Sequence, residues 1–213
     1  NRVYQKLAIK SVLDKYLKST SEGLKGGSRK ALVVMATGSG KTRTAISFVD
    51  VLMKAGWISR VLFLADRNAL VTQAKRNFNK LLPHLSSVDL TKEKEDKETR
   101  LVFSTYPTMM NCIDGIHSGE QRFYSDGHFD LLIIDEAHRS VYQKYGAIFD
   151  YFDALMLGLT ATPKDSTDYD TYRLFEEEQG IPTFDYELQE AVDEKYLVPF
   201  QAKQVDLGFM TRG

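Results

Sequence analysis

The chain is poor in several things at once, and each shortage excludes something. One cysteine in 213 residues, Cys112, leaves no intramolecular disulfide and no Cys-rich zinc site, and it favours a reduced, cytosolic setting. Proline is scarce (5) and glycine ordinary (14), so collagen-like and low-complexity chains are excluded. No apolar run approaches the roughly 20 residues that a membrane-spanning helix needs. Net charge is close to nil, 28 basic against 29 acidic residues. Nucleic acid is therefore not attracted by bulk charge, and any such binding has to come from a local surface. The chain starts at Asn1 without a charged-then-apolar signal segment, and reads as a piece of a longer cytosolic protein.

With 43% hydrophobic and 27% charged residues the balance is globular, and the length is about 1.4 times that of a common single domain. Five short apolar runs carry the organisation: Ala31–Ala36, Arg60–Asp66, Leu101–Tyr106, Leu131–Glu136 and Met156–Thr162. Each is continuous rather than alternating, as expected of strands covered on both faces. Between them lie helical stripes. Ile46, Val49, Leu52 and Met53 form one, closed by Gly56; Ile9, Val12, Leu13, Tyr16 and Leu17 form another ahead of the first strand. Strands alternating with helices predict an α/β fold with a central, mostly parallel sheet. Ser19–Ser28 reads as a flexible connector, and Asp89–Arg100, nearly free of apolar residues, as a solvated loop or frayed helix.

Two sites of chemistry stand out. Thr37-Gly38-Ser39-Gly40-Lys41-Thr42 follows the first strand and opens a helix. Glycines let backbone N–H groups wrap a phosphate, and the helix N-terminus adds its dipole. Lys41 can reach the β- and γ-phosphates and the Thr42 hydroxyl can ligate Mg²⁺. Met35 stands where the general pattern has a further glycine. The second site is Asp135-Glu136-Ala137-His138, delivered by the strand Leu131–Ile134. In a parallel sheet both sites fall at the carboxyl ends of strands, where ligands gather. Asp135 would hold Mg²⁺ and Glu136 polarise the attacking water. His138 has no second His or Cys at ligand spacing and suits a hydrogen-bonding relay; His84, His117 and His128 read as surface or core.

In this order the motifs resemble those of superfamily 2 helicases and translocases. Ala36–Thr42 is similar to motif I, Asp135–His138 to the DEAH form of motif II, and Thr160-Ala161-Thr162 to motif III. Arg2 and Tyr4-Gln5 are similar to the upstream element that contacts adenine. More narrowly, Ala65–Asn68, Ser104–Tyr106, Phe129–Ser140, Gly158–Pro163 and Thr183–Pro199 resemble the motor (R) subunit of type I restriction enzymes. Asp66 and Arg67 stand where DEAD-box RNA helicases carry a proline and a Thr-Arg pair, which turns the resemblance towards DNA translocases.

The resemblance implies a RecA-like P-loop lobe that binds ATP and Mg²⁺ and helps to pump double-stranded DNA, working with specificity and methylation subunits. It divides the chain into an N-terminal helix and linker (1–28), a first lobe (29–197) and a connector (198–213) towards a second RecA-like lobe. Closure of that second lobe would make the site hydrolytic and a nuclease domain would lie upstream, so these residues are expected to bind Mg-ATP, hydrolyse it weakly and cut nothing. Gly38, Ser39, Gly40, Lys41 and Thr42, with Arg2 and Gln5, would hold the nucleotide; His138, Thr160 and Thr162 would couple it to DNA grip; Arg67, Thr105 and Tyr106 would touch the DNA. The alternatives are a DNA-repair helicase lobe, a nucleotide switch without turnover, and a P-loop small-molecule kinase, which explains neither DEAH nor Thr-Ala-Thr.

Overall fold

A computed structural model describes residues 2–21, 28–114, 124–137, 139–162, 166–167 and 169–199. In chain order the elements are α1 (Val3–Ser21), β1 (Lys30–Met35), α2 (Lys41–Lys54), β2 (Val61–Ala65), α3 (Asn68–Leu81), β3 (Ser87–Asp89), β4 (Leu101–Thr105), α4 (Tyr106–Asp114), β5 (Leu131–Asp135), α5 (Arg139–Tyr151), β6 (Leu155–Thr160), α6 (Tyr169–Leu174), β7 (Phe184–Tyr186) and α7 (Leu188–Asp193). All five expected strands form. They join one sheet of order β3-β4-β2-β5-β6-β1-β7, in which every pairing is parallel.

The apolar runs are continuous because alternate side chains feed two separate cores. Val33, Met35, Phe63, Phe103, Ile133 and Leu157 point to one face, beneath α1, α2 and α3. Leu32, Val34, Leu62, Val102, Ile134 and Met156 point to the other, beneath α4, α5 and α6. Each such side chain contributes about 1.5–3 kcal/mol when fully buried, so a break in either run would expose a face of the sheet.

Helix α2 ends where its pattern predicted. Gly56 takes a left-handed φ of 72°, and the N–H groups of Gly56 and Trp57 return to the carbonyls of Met53 and Leu52 (3.0 Å each), a Schellman closure. Helix α1 departs from expectation at both ends of its stripe. Tyr4, Ile9, Val12 and Tyr16 are buried in the same core as β1, whereas Leu17 is 46% exposed. The helix also runs through Ser21, shortening the expected connector from the front; residues 22–27 lie outside the described residues. Residues 3–21 pack on α2, β7 and β1, and so share the core of the sheet with residues 29–197.

Two edge strands were not foreseen. β3 and β7 are three residues each, too short for an apolar run, and β7 carries Asp185 at its centre. Asp89–Arg100 is also less solvated than its composition implied. Asp89 closes β3 as a buried carboxylate, accepting the Thr91 N–H (3.0 Å) and hydroxyl (2.6 Å), and the Glu95 side chain is 1% exposed, 2.9 Å from Nε2 of His128. Among the described residues no helix is long and apolar enough to cross a membrane.

Gly158, in the middle of β6, lies directly under the fully buried ring of Phe175, and a methyl group there would overlap that ring. Gly158→Ala is expected to cost about 1–3 kcal/mol by overpacking and to lower Tm by roughly 2–12 °C in thermal unfolding, with Phe175→Leu restoring part of the loss. An unchanged Tm would refute the packing.

Candidate nucleotide site

The strand order fixes the site before any side chain is considered. β6 lies between β1 and β5, so the loop after β1 and the carboxylates after β5 flank the end of one intervening strand. From β1 the chain crosses beyond β6 and β5 to β2, then returns to insert both. This reversal opens a crevice at the carboxyl edge.

The loop needs its glycines for two reasons. Gly38 and Gly40 have φ of 83° and 98°, where other residues are strained. A Cβ on Gly40 would also stand 2.8 Å from Nε2 of Gln5. Met35 stands in place of the general pattern's first glycine without backbone strain, because it is the extended last residue of β1, paired with Tyr186. Ser39 tightens the turn, its N–H and hydroxyl both donating to the Ala36 carbonyl (3.1 and 2.7 Å). The Lys41 ammonium donates to the Met35 carbonyl at 3.3 Å and therefore lies folded across the loop.

Asp135 ends β5 in register with Leu159, and Glu136 follows in a left-handed conformation, φ 52°. Burial is the main reason that the Asp135 carboxyl is pushed from 3.8 up to about 6; the Glu136 charge adds to it and Lys41 offsets part. Burial also lowers Lys41, partly opposed by Glu136 and Asp135. Two partly buried carboxylates thus face one desolvated ammonium, a site short of positive charge. A hydroxyl (Thr42) and carboxylates are hard oxygen donors, which suits Mg²⁺ held through one or two protein ligands, with phosphate and water completing its shell.

Two hollows adjoin. One, of about 520 Å³, is lined by Lys41, Thr42, Asp135 and Glu136 and extends along α3. The other, of about 420 Å³, is lined by Arg2, Gln5 and Ser39. Gly38, Gly40 and Arg43 border both, so the two hollows meet across the glycine loop. Arg2 and Gln5 are tied together (Arg2 N–H to Gln5 Oε1, 3.1 Å), and Arg2 lies 4.9 Å from the Tyr196 ring centre. Sequence reasoning missed what Tyr4 does: its hydroxyl donates to the Ser39 carbonyl, while its ring stacks on Tyr186 at 4.0 Å with Tyr196 edge-on.

Thr160 is fully buried at the end of β6, where its hydroxyl accepts the Thr162 N–H at 3.1 Å. His138 lies outside the described residues. Of the three expected DNA contacts, Arg67 alone is presented to solvent, its side chain 80% exposed and 3.7 Å from Asp66. Thr105 is nearly buried and shares a hydrogen bond with the Thr108 hydroxyl (2.9 Å). Tyr106 is 0% exposed and its hydroxyl donates to the Asp135 carbonyl at 3.0 Å, so in this structure its side chain packs in the core rather than being presented to solvent.

This sheet and its crevice define a RecA-like α/β lobe. Residues 1–165 match the family described as "Type III restriction enzyme, res subunit", and the chain belongs to that family. Within it, curated relatives are type I enzymes, in line with the motifs. The Escherichia coli "Type I restriction enzyme EcoAI endonuclease subunit" is 32% identical over 204 residues, covering 92% of this chain and 24% of the relative. The EcoKI endonuclease subunit of Escherichia coli strain K12 is 27% identical, covering 92% of this chain and 17% of the relative. The chain therefore spans about a quarter or less of the length of these relatives. Among solved structures, a fragment assigned as an HsdR subunit of a type I restriction enzyme from Vibrio vulnificus YJ016 superposes with TM-score 0.61 at 29% identity, over 90% of this chain and 31% of that one. The Type ISP restriction-modification enzyme LlaGI, as a nuclease-deletion mutant with a DNA substrate mimic, shares the fold (TM-score 0.65, 22% identity, 92% of this chain and 20% of that one).

The raised Asp135 carboxyl has a consequence for stability. Its folded value, about 6, exceeds the ordinary 3.8, so the fold favours the protonated form. The stability this contributes is full below about pH 4 and is lost as pH rises through about 6. Without metal or nucleotide, wild type is expected to lose stability relative to Asp135→Asn across that window in chemical denaturation. Parallel pH profiles for the two proteins would refute it.

Proposed function

We propose that the chain is the first motor lobe of an ATP-driven translocase of double-stranded DNA, acting within a type I restriction–modification complex in the cytoplasm. One observation carries the reading: the glycine loop and the Asp135-Glu136 pair meet at one carboxyl edge, on either side of β6, with two hollows sharing the loop as their common wall. The family membership supports it, since relatives are endonuclease subunits of restriction enzymes.

In this reading Gly38, Ser39 and Gly40 offer backbone N–H groups to the phosphates, Lys41 leaves the Met35 carbonyl to neutralise them, and Arg2 and Gln5 hold adenine. Thr42 and Asp135 hold Mg²⁺, which when bound supplies charge neutralisation on the phosphate oxygens. Glu136 accepts a proton from the attacking water. His138, Thr160 and Thr162 couple nucleotide state to grip, and Arg67 with the Thr105 segment meets the DNA backbone. Specificity and methylation subunits choose the site. A second RecA-like lobe supplies the arginines that complete the charge on the γ-phosphate, so these 213 residues alone bind Mg-ATP and turn it over slowly. Retention of Lys41, Thr42, Asp135 and Glu136 together speaks against a switch without turnover.

The test is ATP turnover by the full-length parent protein with its partner subunits on long duplex DNA. Wild type is expected to be DNA-stimulated, and Lys41→Ala to lose at least about a thousandfold in rate through lost transition-state stabilisation. Absence of turnover in wild type would leave nucleotide as a switch ligand. Fast DNA-stimulated turnover by the 213 residues alone would remove the need for a second lobe.

A further inference from the structure

Among the described residues of the crevice, Glu136 is the one whose backbone is unfavourable for its type, with φ 52° on a side chain that is not glycine. Such a conformation persists only where its surroundings hold it. The φ and ψ of a residue are set by the orientations of the two peptide units that flank it, and here both are anchored. The unit before Glu136 is held at its oxygen: the Asp135 carbonyl accepts the Tyr106 hydroxyl at 3.0 Å. The unit after it is held at its nitrogen: the Ala137 N–H donates to the Leu159 carbonyl at 2.9 Å. One anchor comes from the end of β6, the other from the start of α4.

The Tyr106 anchor is built to be rigid. Its ring is fully buried, stacked on Tyr145 at 5.4 Å and 13° and edge-on to Phe149 at 6.4 Å. Burial, with the charges of Asp135, Asp66 and Glu136, holds the phenol protonated and hence a donor. Tyr106 is also the first residue of α4, directly after Thr105, so the same backbone joins the end of β4 to the peptide that aims Glu136.

We propose that Tyr106 is a positioning residue for Glu136, its hydroxyl fixing the Asp135–Glu136 peptide so that the Glu136 carboxylate is aimed at the attacking water. The inference rests on the reading in which Glu136 activates that water. It replaces a DNA contact at Tyr106 with a link from the end of β4 to hydrolysis. A buried phenol that merely needs an acceptor would satisfy the same hydrogen bond, and the two roles separate in kinetics.

Tyr106→Phe keeps the ring and deletes only the donor. In the full-length protein with its partner subunits and duplex DNA, we expect kcat to fall roughly ten- to a hundredfold, as for a misaligned catalytic group, with KM and Kd for ATP changed less than about twofold. In a Glu136→Gln background the same change should cost nothing further in single-turnover rate, because the group being aimed has gone. Assays at a fixed interval below each variant's own Tm remove any contribution from unfolding. An unchanged kcat, a parallel loss of kcat, affinity and Tm, or additive losses in the double variant would each overturn the positioning role. An inactive wild type would instead defeat the reading of the site, so the two failures are distinguishable.

Discussion

Parallel pairing of β1, β6 and β5 is the constraint on which the rest depends. Because the three strands run the same way, the glycine loop, the Thr160 turn and the Asp135-Glu136 pair all emerge at one edge. A parallel sheet must be covered on both faces, which requires the helices between strands, and those helices bring the chain back to start each strand from the same side. Electrostatics follow from the same geometry. The crevice is sheltered enough to raise Asp135 and depress Lys41, so charges that water would quiet elsewhere act strongly on one another.

The fold was legible wherever the signal was local and repetitive. Two-sided burial leaves a continuous apolar run, and each of the five runs is a strand. The stripe of α2 and its terminating Gly56 were legible for the same reason. β3 and β7 were not, since three residues at a sheet edge need neither length nor apolarity; pairing with β4 and β1 makes them strands. Glu95 escaped because a charged loop reads as solvated until His128, far along the chain, closes over it.

The site divides in the same way. Residues that act through close spacing, from Gly38 to Thr42 and Asp135 to Glu136, were named from the sequence. Tyr4 and Tyr106, which act through distant partners, were named too, but not for the contacts they make. Tyr4 meets Ser39 across 35 positions and Tyr106 meets Asp135 across 29, and nothing in either local segment marks the partner. A tyrosine after a strand is equally compatible with the core and with a ligand, and only its burial decides.

The pairing of β7 with β1 joins residues about 150 positions apart, and at the root of the loop the Tyr186 carbonyl accepts the Ala36 N–H at 2.9 Å. During synthesis the glycine loop therefore leaves the ribosome long before the strand that flanks it and the ring that braces Tyr4. Until Tyr186 and Tyr196 have emerged, β1 stands as an open edge and the nascent chain cannot yet present a finished loop. The finished form of the glycine loop thus waits on residues about 150 positions further along the chain.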